Sequence, residues 1–306
     1  MTVAARPEPA ASHPAALGGD ESEPLAAVRR VESCLAGSGG LRLFRRAWLP
    51  PRAGRLIVVV HGFAEHSGRY DPLGAWFASR GFAVHAYDHR GHGRSEGARC
   101  HVDRFDELLD DLDAVLERVR AEHAGAPLVL LGHSMGGLVV AAHLAERSPA
   151  LHAAVTSGAA LSLSPDLSRG RILAARALRR VAPRLRLGSG LDPEGLSRDP
   201  EVVRRYVEDP LVHRSMTTSF ATELLAALER TSAACDRVRV PWLLLHGEAD
   251  PICPVQGSRA AHARAPGSGL RTYPGLRHEI FNEPEHERVF EDVRVWLDAV
   301  GEASPR

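Results

Sequence analysis

Residues 127–144, PLVLLGHSMGGLVVAAHL, place a single serine between two apolar runs. Gly132 and Gly136 lie two residues before and after Ser134, which is the pattern G-x-S-x-G. The leading PLVLL has the length of a buried strand, and MGGLVVAAHLAER has the pattern of a helix. A sharp turn between strand and helix would expose the serine oxygen and leave room only for glycine beside it. The stretch predicts a nucleophile at Ser134, and the alternative is a glycine turn with an incidental serine.

Short apolar runs on both sides of this stretch indicate the fold class. Runs of this length without strict alternation are typical of strands that are covered on both faces, as in a mostly parallel sheet. They occupy residues 41–48, 56–60, 83–87, 128–131, 153–157, 242–246 and 270–273. Residues 105–122 between them repeat leucine and valine at helical spacing. The order predicts an α/β protein with a mostly parallel central sheet flanked by helices.

The rhythm of strands and helices divides the chain into three parts. Residues 1–25 are rich in alanine, proline and acidic residues, and we expect them to form a disordered tail. Residues 26–160 and 228–300 are predicted to form the α/β core. Residues 161–227 contain helical segments and turns but no strand candidate, and this interval is too long for a plain loop. We predict that this insertion is a helical cap (lid) over the sheet.

Composition excludes several classes of function. The 306 residues carry a formal charge of zero, so no overall positive field would attract nucleic acid. The four cysteines are far apart, which fits neither a close-spaced zinc site nor a disulfide framework. No apolar run approaches the 18 or more residues of a membrane span, and the N-terminus does not resemble a secretory signal. We expect a soluble, cytoplasmic protein.

A serine nucleophile needs a base and a carboxylate that orients the base. After an elbow of this type the order along the chain is serine, acid, histidine. The strand in PWLLLHGEADPICP delivers Asp250 just beyond its carboxyl end, where active-site groups collect in open α/β sheets. Glu248 is the rival acid, but it lies closer to the strand and in a predicted turn.

Three histidines follow Asp250 and compete for the role of base. His278 follows a predicted strand in a loop before the last helix, so its side chain can reach back over the sheet. His262 lies in the helical pattern GSRAAHARA, and His286 lies in the polar segment NEPEHERV. The order rule favours His278.

An oxyanion hole requires two backbone N–H groups directed at the developing negative charge. The residue after the nucleophile, Met135, supplies one of them on this fold. The loop after the third strand should supply the other, and there Gly62 turns the chain and presents the N–H of Phe63. A plain glycine turn is the alternative.

Four motifs together resemble one family: HGFAEHSGRY, DHRGHGRSEG, GHSMGG and YPGLRHEIFNEP. They are similar to monoacylglycerol lipases of the bacterial type, in the α/β-hydrolase superfamily, whose relatives include lysophospholipases. The resemblance runs from about residue 40 to residue 297. It implies an α/β-hydrolase fold and the triad Ser134, Asp250 and His278, with Phe63 and Met135 in the oxyanion hole.

The resemblance also implies a substrate. Glu65 and Arg69 match the family's EHSGRY motif and are expected to help hold the glycerol head. In one branch a second histidine contacts glycerol three residues after the base, and here that position is Phe281. The implied function is hydrolysis of a monoacylglycerol ester through an acyl-enzyme, with no metal or organic cofactor. Lysophospholipase, general carboxylesterase and non-catalytic receptor remain alternatives.

The insertion contains one strongly basic helical segment. Residues 169–186, RGRILAARALRRVAPRLR, carry seven arginines and no acidic residue. On a helical wheel, Leu173, Leu178 and Val181 share one arc opposite Arg176 and Arg179. Such a helix could make transient contact with an anionic lipid surface. The alternative is a cap helix that presents a solvated basic face.

Overall fold

The computed structural model describes residues 28–163 and 168–303. The tail predicted for residues 1–25 lies outside the described residues. Two strands in the described part of the chain illustrate why the sheet forms. All six residues are buried in each of them, Phe82–Tyr87 and Leu128–His133. Both strands consist mostly of apolar residues, as burial on both faces of a sheet requires.

The central sheet has eight strands in the order β1-β2-β4-β3-β5-β6-β9-β10. β1 and β2, and β2 and β4, are antiparallel, whereas all other neighbours in this sheet are parallel. This confirms the predicted mostly parallel α/β sheet. The strands are β1 Arg29–Ala36, β2 Arg42–Leu49, β3 Arg55–Val60, β4 Phe82–Tyr87, β5 Leu128–His133, β6 Ala153–Ser157, β9 Trp242–Gly247 and β10 Gly269–Tyr273.

Helices cover both faces of the sheet and bury two apolar clusters, one on each face. Such coverage removes the strands' apolar side chains from water, which is the main favourable contribution to folding. The helices are α1 Asp71–Ala78, α2 Asp106–Glu122, α3 Met135–Arg147, α4 Arg169–Val181, α5 Pro200–Glu208, α6 Thr218–Ala234, α7 Val255–Arg264 and α8 His286–Ala303.

The structure adds an edge strand that the apolar runs did not indicate. β1, RRVESCLA, alternates exposed and half-buried residues and lies at the outer edge of the sheet. An edge strand is half exposed to water and pairs on one side only, so it carries no continuous apolar run.

The insertion, residues 161–227, differs from the sequence expectation in two respects. It contains two three-residue strands, β7 Arg186–Gly188 and β8 Ser215–Thr217, which pair with each other antiparallel, although we expected no strand there. Strands this short have no readable period. The predicted boundary at residue 227 also falls inside α6, which packs on both α4 and α3.

None of the helices within residues 28–163 and 168–303 combines the length and the apolar character that crossing a bilayer requires.

Candidate active site

Ser134 lies at the turn between β5 and α3, as the strand–turn–helix reading predicts. Its backbone has φ 53° and ψ −117°, a conformation that side-chain-bearing residues rarely adopt and that costs free energy. The surrounding backbone holds it there. The Ser134 N–H donates to the carbonyl of Ser157 at 2.9 Å, and its carbonyl accepts from Ala160 at 3.1 Å.

The two glycines of the motif are required by close approach. A Cβ at Gly136 would lie 2.0 Å from the carbonyl oxygen of Val60, on the neighbouring strand β3. A Cβ at Gly132 would lie 2.5 Å from the carbonyl oxygen of Gly136. Contacts this short are not possible for real side chains, so the elbow closes only with hydrogen at both positions.

Asp250 and His278 come together beyond the carboxyl ends of β9 and β10. Asp250 Oδ2 lies 2.7 Å from His278 Nδ1, and both side chains are almost completely buried. A carboxylate can only accept, so Nδ1 carries the proton and Nε2 is left with a lone pair. The other carboxylate oxygen, Oδ1, accepts from the N–H groups of Ile252 and Cys253.

The charges of this pair stabilise one another. Burial would raise the pKa of Asp250, but His278, His246 and the Cys253 N–H together hold it well below its usual range. Burial likewise opposes the charged form of His278, but the Asp250 carboxylate outweighs it and raises the pKa of the imidazole. Asp250 is therefore ionised near neutral pH, and an imidazolium at His278 would be stabilised.

The rival acid and bases lie elsewhere. Glu248 is exposed and accepts a hydrogen bond from Thr272 at 2.7 Å. His262 contacts Ser268 through Nδ1, and His286 contacts the carbonyl of Glu283. Each of the three competitors thus has a hydrogen-bond partner outside the Asp250–His278 pair.

The loop after β3 approaches Ser134 closely. A Cβ at Gly62 would lie 3.3 Å from the Cβ of Ser134, and Phe63 lines the same cavity as Ser134. The Gly62 N–H donates to Glu65 Oε1 at 2.6 Å and is therefore already in use. The next N–H along this loop is that of Phe63. Met135 is the first residue of α3, and its N–H therefore has no partner within the helix.

A small cavity with both charged and apolar side chains in its wall, which we call the head pocket, is lined in part by Ser134. Its volume is about 20 Å³, room for about one water molecule. His278, Glu65, Arg69 and Glu279 line it from the core, and the insertion contributes the remaining wall with Leu191, Leu196 and Tyr206. Glu65 and Arg69, which the resemblance implies help hold the glycerol head, thus line the same cavity as Ser134. Phe281 is buried in the apolar cluster and is not among the lining residues.

A second and much larger cavity, which we call the apolar pocket, lies between α3 and the insertion. Its volume is about 680 Å³, within the range of sites that enclose small ligands. Its walls are mostly aliphatic and include Met135, Leu138, Ile172, Leu178, Met216, Leu224 and Leu228. The two cavities adjoin along the chain at Ser134–Met135 and again at Gly190–Leu191.

Sequence reasoning missed several residues of this site. His246, in β9, directs Nε2 at Asp250 Oδ2 at 3.1 Å, while its Nδ1 faces the Ser258 hydroxyl. The ring of His133 packs against that of His278, with 4.7 Å between centroids. A polar residue inside the apolar strand WLLLHG was the available signal for His246. No local pattern marks Glu279 or Tyr206, because their partners are distant in sequence.

One cluster outside the site has the chemistry of metal ligands. Single ligand atoms of His85, Glu122 and His123 lie within 4.8 Å of one another. Both carboxylate oxygens of Glu122, however, accept bonds from the buried Arg45, at 2.7 and 2.9 Å. That guanidinium already neutralises the carboxylate and would repel a cation, so we assign no metal there.

Comparison with known proteins agrees with the fold and the motifs. The sequence model of the family described as "Serine aminopeptidase, S33" (Hydrolase_4) matches residues 51–285. The monoacylglycerol lipase of Mycolicibacterium smegmatis is 37% identical over 88% of this chain and 97% of its own length. The human monoglyceride lipase is 35% identical over 89% of this chain and 93% of its own length.

A solved structure extends the similarity to three dimensions. The monoacylglycerol lipase of Paleococcus ferrophilus superposes with a TM-score of 0.77 at 35% identity, over 84% of this chain and 99% of that chain. Sequence identity, coverage and backbone geometry thus all lead to the same group of proteins. The chain belongs to the monoacylglycerol lipase family of the α/β-hydrolase superfamily.

Proposed function

We propose that this protein is a serine hydrolase that cleaves monoacylglycerols to a fatty acid and glycerol. The observation that carries the proposal is that Ser134 lines one cavity and its neighbour Met135 lines a second, unlike cavity. The aliphatic walls of the apolar pocket suit an acyl chain, and the charged side chains of the head pocket can hydrogen-bond the hydroxyl groups of a polar alcohol once the pocket has widened. The scissile ester would then lie at Ser134, between the two. The relatives named above are lipases of this substrate class, which supports the same conclusion.

Acylation would begin with attack of Ser134 Oγ on the ester carbonyl. His278 Nε2 accepts the hydroxyl proton, because its Nδ1–H is held by Asp250. The charge that develops on the carbonyl oxygen is stabilised by the N–H groups of Phe63 and Met135. His278 then protonates the departing glycerol oxygen, and the acyl group remains on Ser134.

Deacylation repeats these roles with water as the nucleophile. His278 accepts a proton from water, the hydroxide attacks the acyl-enzyme, and the fatty acid leaves as Ser134 regains its proton. All protons are accounted for by His278 and water, so this route uses no metal and no organic cofactor.

The insertion would act as a cap that must move during turnover. The head pocket holds about one water molecule, whereas a glycerol head is several times larger. Leu191, Leu196 and Tyr206 come from the insertion and form its outer wall, so a displacement there would open it. Hydrogen bonds from the N–H of Glu279 to Leu196 and from Arg277 to Glu194 and Ser197 would be loosened by such a movement.

Contact between the insertion and a lipid surface is a further part of the proposal. Leu173 and Val181 of α4 are 65% and 81% exposed to solvent. Exposed aliphatic side chains close to an apolar pocket are typical of a surface that binds lipid or another apolar partner. Arg176 and Arg179 are less available than the helical wheel suggested, because they pair with Glu229 and Glu223. The exposed aliphatic residues would therefore contribute more to binding than these two arginines.

A vesicle experiment tests the lipid contact. Leu173→Asp with Val181→Asp should abolish flotation with phosphatidylglycerol vesicles and reduce turnover of dispersed lipid, while a short dissolved ester is still cleaved. A matched substitution at an exposed aliphatic residue on the other side of the molecule, Val295→Asp, should leave flotation unchanged. Equal flotation of all three proteins would refute the contact.

The substrate proposal is tested by a panel of substrates in which the three lipids carry the same acyl chain. Monoacylglycerol, diacylglycerol, lysophosphatidylcholine, a small ester and an aminoacyl anilide are each assayed with the wild type and with Ser134→Ala. The proposal expects the highest kcat/KM on monoacylglycerol and loss of both turnover and fluorophosphonate labelling in Ser134→Ala. Full turnover by Ser134→Ala would refute it, and a wild-type enzyme that stops after one turnover would favour a receptor.

A further inference from the structure

Three charged side chains form one buried group at the polar end of the head pocket. Glu279 grips Arg69 with both oxygens, Oε1 to Nη1 at 2.5 Å and Oε2 to Nη2 at 2.7 Å. Arg69 Nη1 also donates to Glu65 Oε2 at 2.8 Å. All three side chains are at least nine-tenths buried. Two carboxylates thus share one guanidinium.

This group carries a net negative charge. Burial alone would raise the pKa of Glu65, but Arg69 and its other neighbours outweigh it and lower that pKa to about 2. Burial also opposes ionisation of Glu279, and Arg69 again lowers the pKa. Burial lowers the pKa of His133 to about 4 and raises that of Tyr206, so neither group is charged near neutral pH. The pKa of His278 is raised, but a positive charge on its imidazole is balanced by the Asp250 carboxylate to which it is hydrogen-bonded. Two negative charges and one positive charge remain.

The Nη1–Nη2 edge of the Arg69 guanidinium is already occupied by a carboxylate. Its bidentate edge, the geometry that ordinarily recognises a carboxylate or phosphate, is occupied by Glu279. Its plane lies against the ring of Tyr206 from the insertion, 4.9 Å from the ring centroid. Asn282 Nδ2 donates to Glu279 Oε2 at 2.9 Å and holds the carboxylate in place. An anionic group would have to displace Glu279.

We propose that Glu279 is a specificity-determining residue that restricts the leaving group to uncharged alcohols. Its carboxylate accepts hydrogen bonds from the two terminal nitrogens of Arg69, so this edge of the guanidinium is not open to an anionic substrate. Hydroxyl groups donate to carboxylates, so glycerol is accepted by the same oxygens that repel a phosphate ester. Phosphate-bearing acylglycerols are therefore excluded by the charge of the pocket. This inference rests on ester hydrolysis at Ser134, as proposed above.

The experiment compares two substrates that differ only in a phosphate: 1-acylglycerol and 1-acylglycerol 3-phosphate with the same acyl chain. In the wild type, kcat/KM should favour the uncharged substrate by on the order of 100-fold, as expected for a like charge a few ångströms away in a buried site. Glu279→Gln keeps the size of the side chain, removes its charge and releases the fork of Arg69. This variant should raise the phosphate-to-neutral ratio of kcat/KM by about tenfold or more.

Two variants serve as controls. Glu287→Gln removes an exposed carboxylate from α8, so it changes the total charge equally and should leave the ratio unchanged. Glu279→Asp retains the charge, and its ratio should stay close to the wild-type value. Labelling by a fluorophosphonate establishes that each variant is folded around Ser134.

The outcomes separate the two proposals. A wild-type enzyme that cleaves neither substrate contradicts the proposed function. A wild-type enzyme that cleaves both substrates equally well overturns the specificity inference alone, whether or not Glu279→Gln folds. A ratio in labelled Glu279→Gln within twofold of the wild-type ratio also overturns it, because the charge of Glu279 would then have no effect on headgroup choice.

Discussion

The strained backbone at Ser134 leads to a prediction about stability. A non-glycine residue at φ 53° and ψ −117° is expected to cost about 1–3 kcal/mol. Glycine adopts positive φ without this cost, although it loses about 0.5–1 kcal/mol more backbone entropy on folding. Ser134→Gly should therefore be more stable than a variant that retains the Cβ, by about 1–2 kcal/mol.

Ser134→Ala is the matched comparison. It removes the same hydroxyl but keeps the Cβ, and with it the strain. A gain of 1–2 kcal/mol corresponds to about 2–6 °C in Tm for a domain of this size. Thermal unfolding followed by circular dichroism, at one protein concentration and scan rate, measures the difference. Both variants should be inactive if Ser134 is the nucleophile.

One outcome of the thermal unfolding would refute the strain at residue 134. If Ser134→Gly melts at or below the temperature of Ser134→Ala, the backbone at residue 134 stores no strain that glycine can release. The elbow would then be an ordinary turn, and the energetic cost that we assign to presenting the nucleophile would be wrong. A higher Tm for the inactive glycine variant would show that stability is sacrificed for the position of the hydroxyl.

The remaining predictions concern the base, the elbow and the loop that carries the base. The Asp250 carboxylate outweighs burial and raises the pKa of His278, so kcat/KM should rise with pH around a pKa above that of an ordinary histidine. Asp250→Asn should move this acid limb of the pH profile to lower pH. An unmoved limb would contradict the assignment of His278 as the base and Asp250 as its partner. Gly136→Ala places a Cβ 2.0 Å from the Val60 carbonyl and should lower stability by about 3 kcal/mol or more, measured by denaturant unfolding; a normal midpoint would refute the close approach. Glu283 is fully buried and accepts a hydrogen bond from the backbone N–H of Arg277, the residue before His278. Glu283→Gln should therefore lower the free energy of unfolding by about 1–3 kcal/mol and lower kcat. Unchanged unfolding and kinetics would show that this carboxylate does not hold the loop that carries His278.

The pattern around Ser134 could be interpreted from the sequence because its physics is local. A buried strand, a turn that admits only glycine and an amphipathic helix each depend on neighbours within a few residues. The same applies to the apolar runs of the sheet, which predict a mostly parallel arrangement. The order rule then led to Asp250 and His278, which are hydrogen-bonded in the structure. Their catalytic role remains a proposal.

Other features depended on long-range contacts and had no local pattern. The strands β7 and β8 are too short to show a period, and the edge strand β1 has no continuous apolar run. The sequence predicted a solvent-exposed basic face at Arg176 and Arg179. Their acidic partners on α6 are more than 40 residues away along the chain, so the local sequence does not show the ion pairs. A helical wheel describes only one helix and cannot include a neighbour that packs against it.

The amino-acid sequence alone determined the class of fold, the elbow and the candidates for the chemistry, because these follow from spacing and from the small size of glycine. Only the tertiary structure decided what surrounds them. The bidentate contact of Glu279 with Arg69 joins residues 210 positions apart, and residues of the insertion form part of the wall of both the apolar pocket and the head pocket. The physical reason is that burial, net charge and cavity shape arise from the sum of distant groups brought together, and no local stretch of sequence contains that sum.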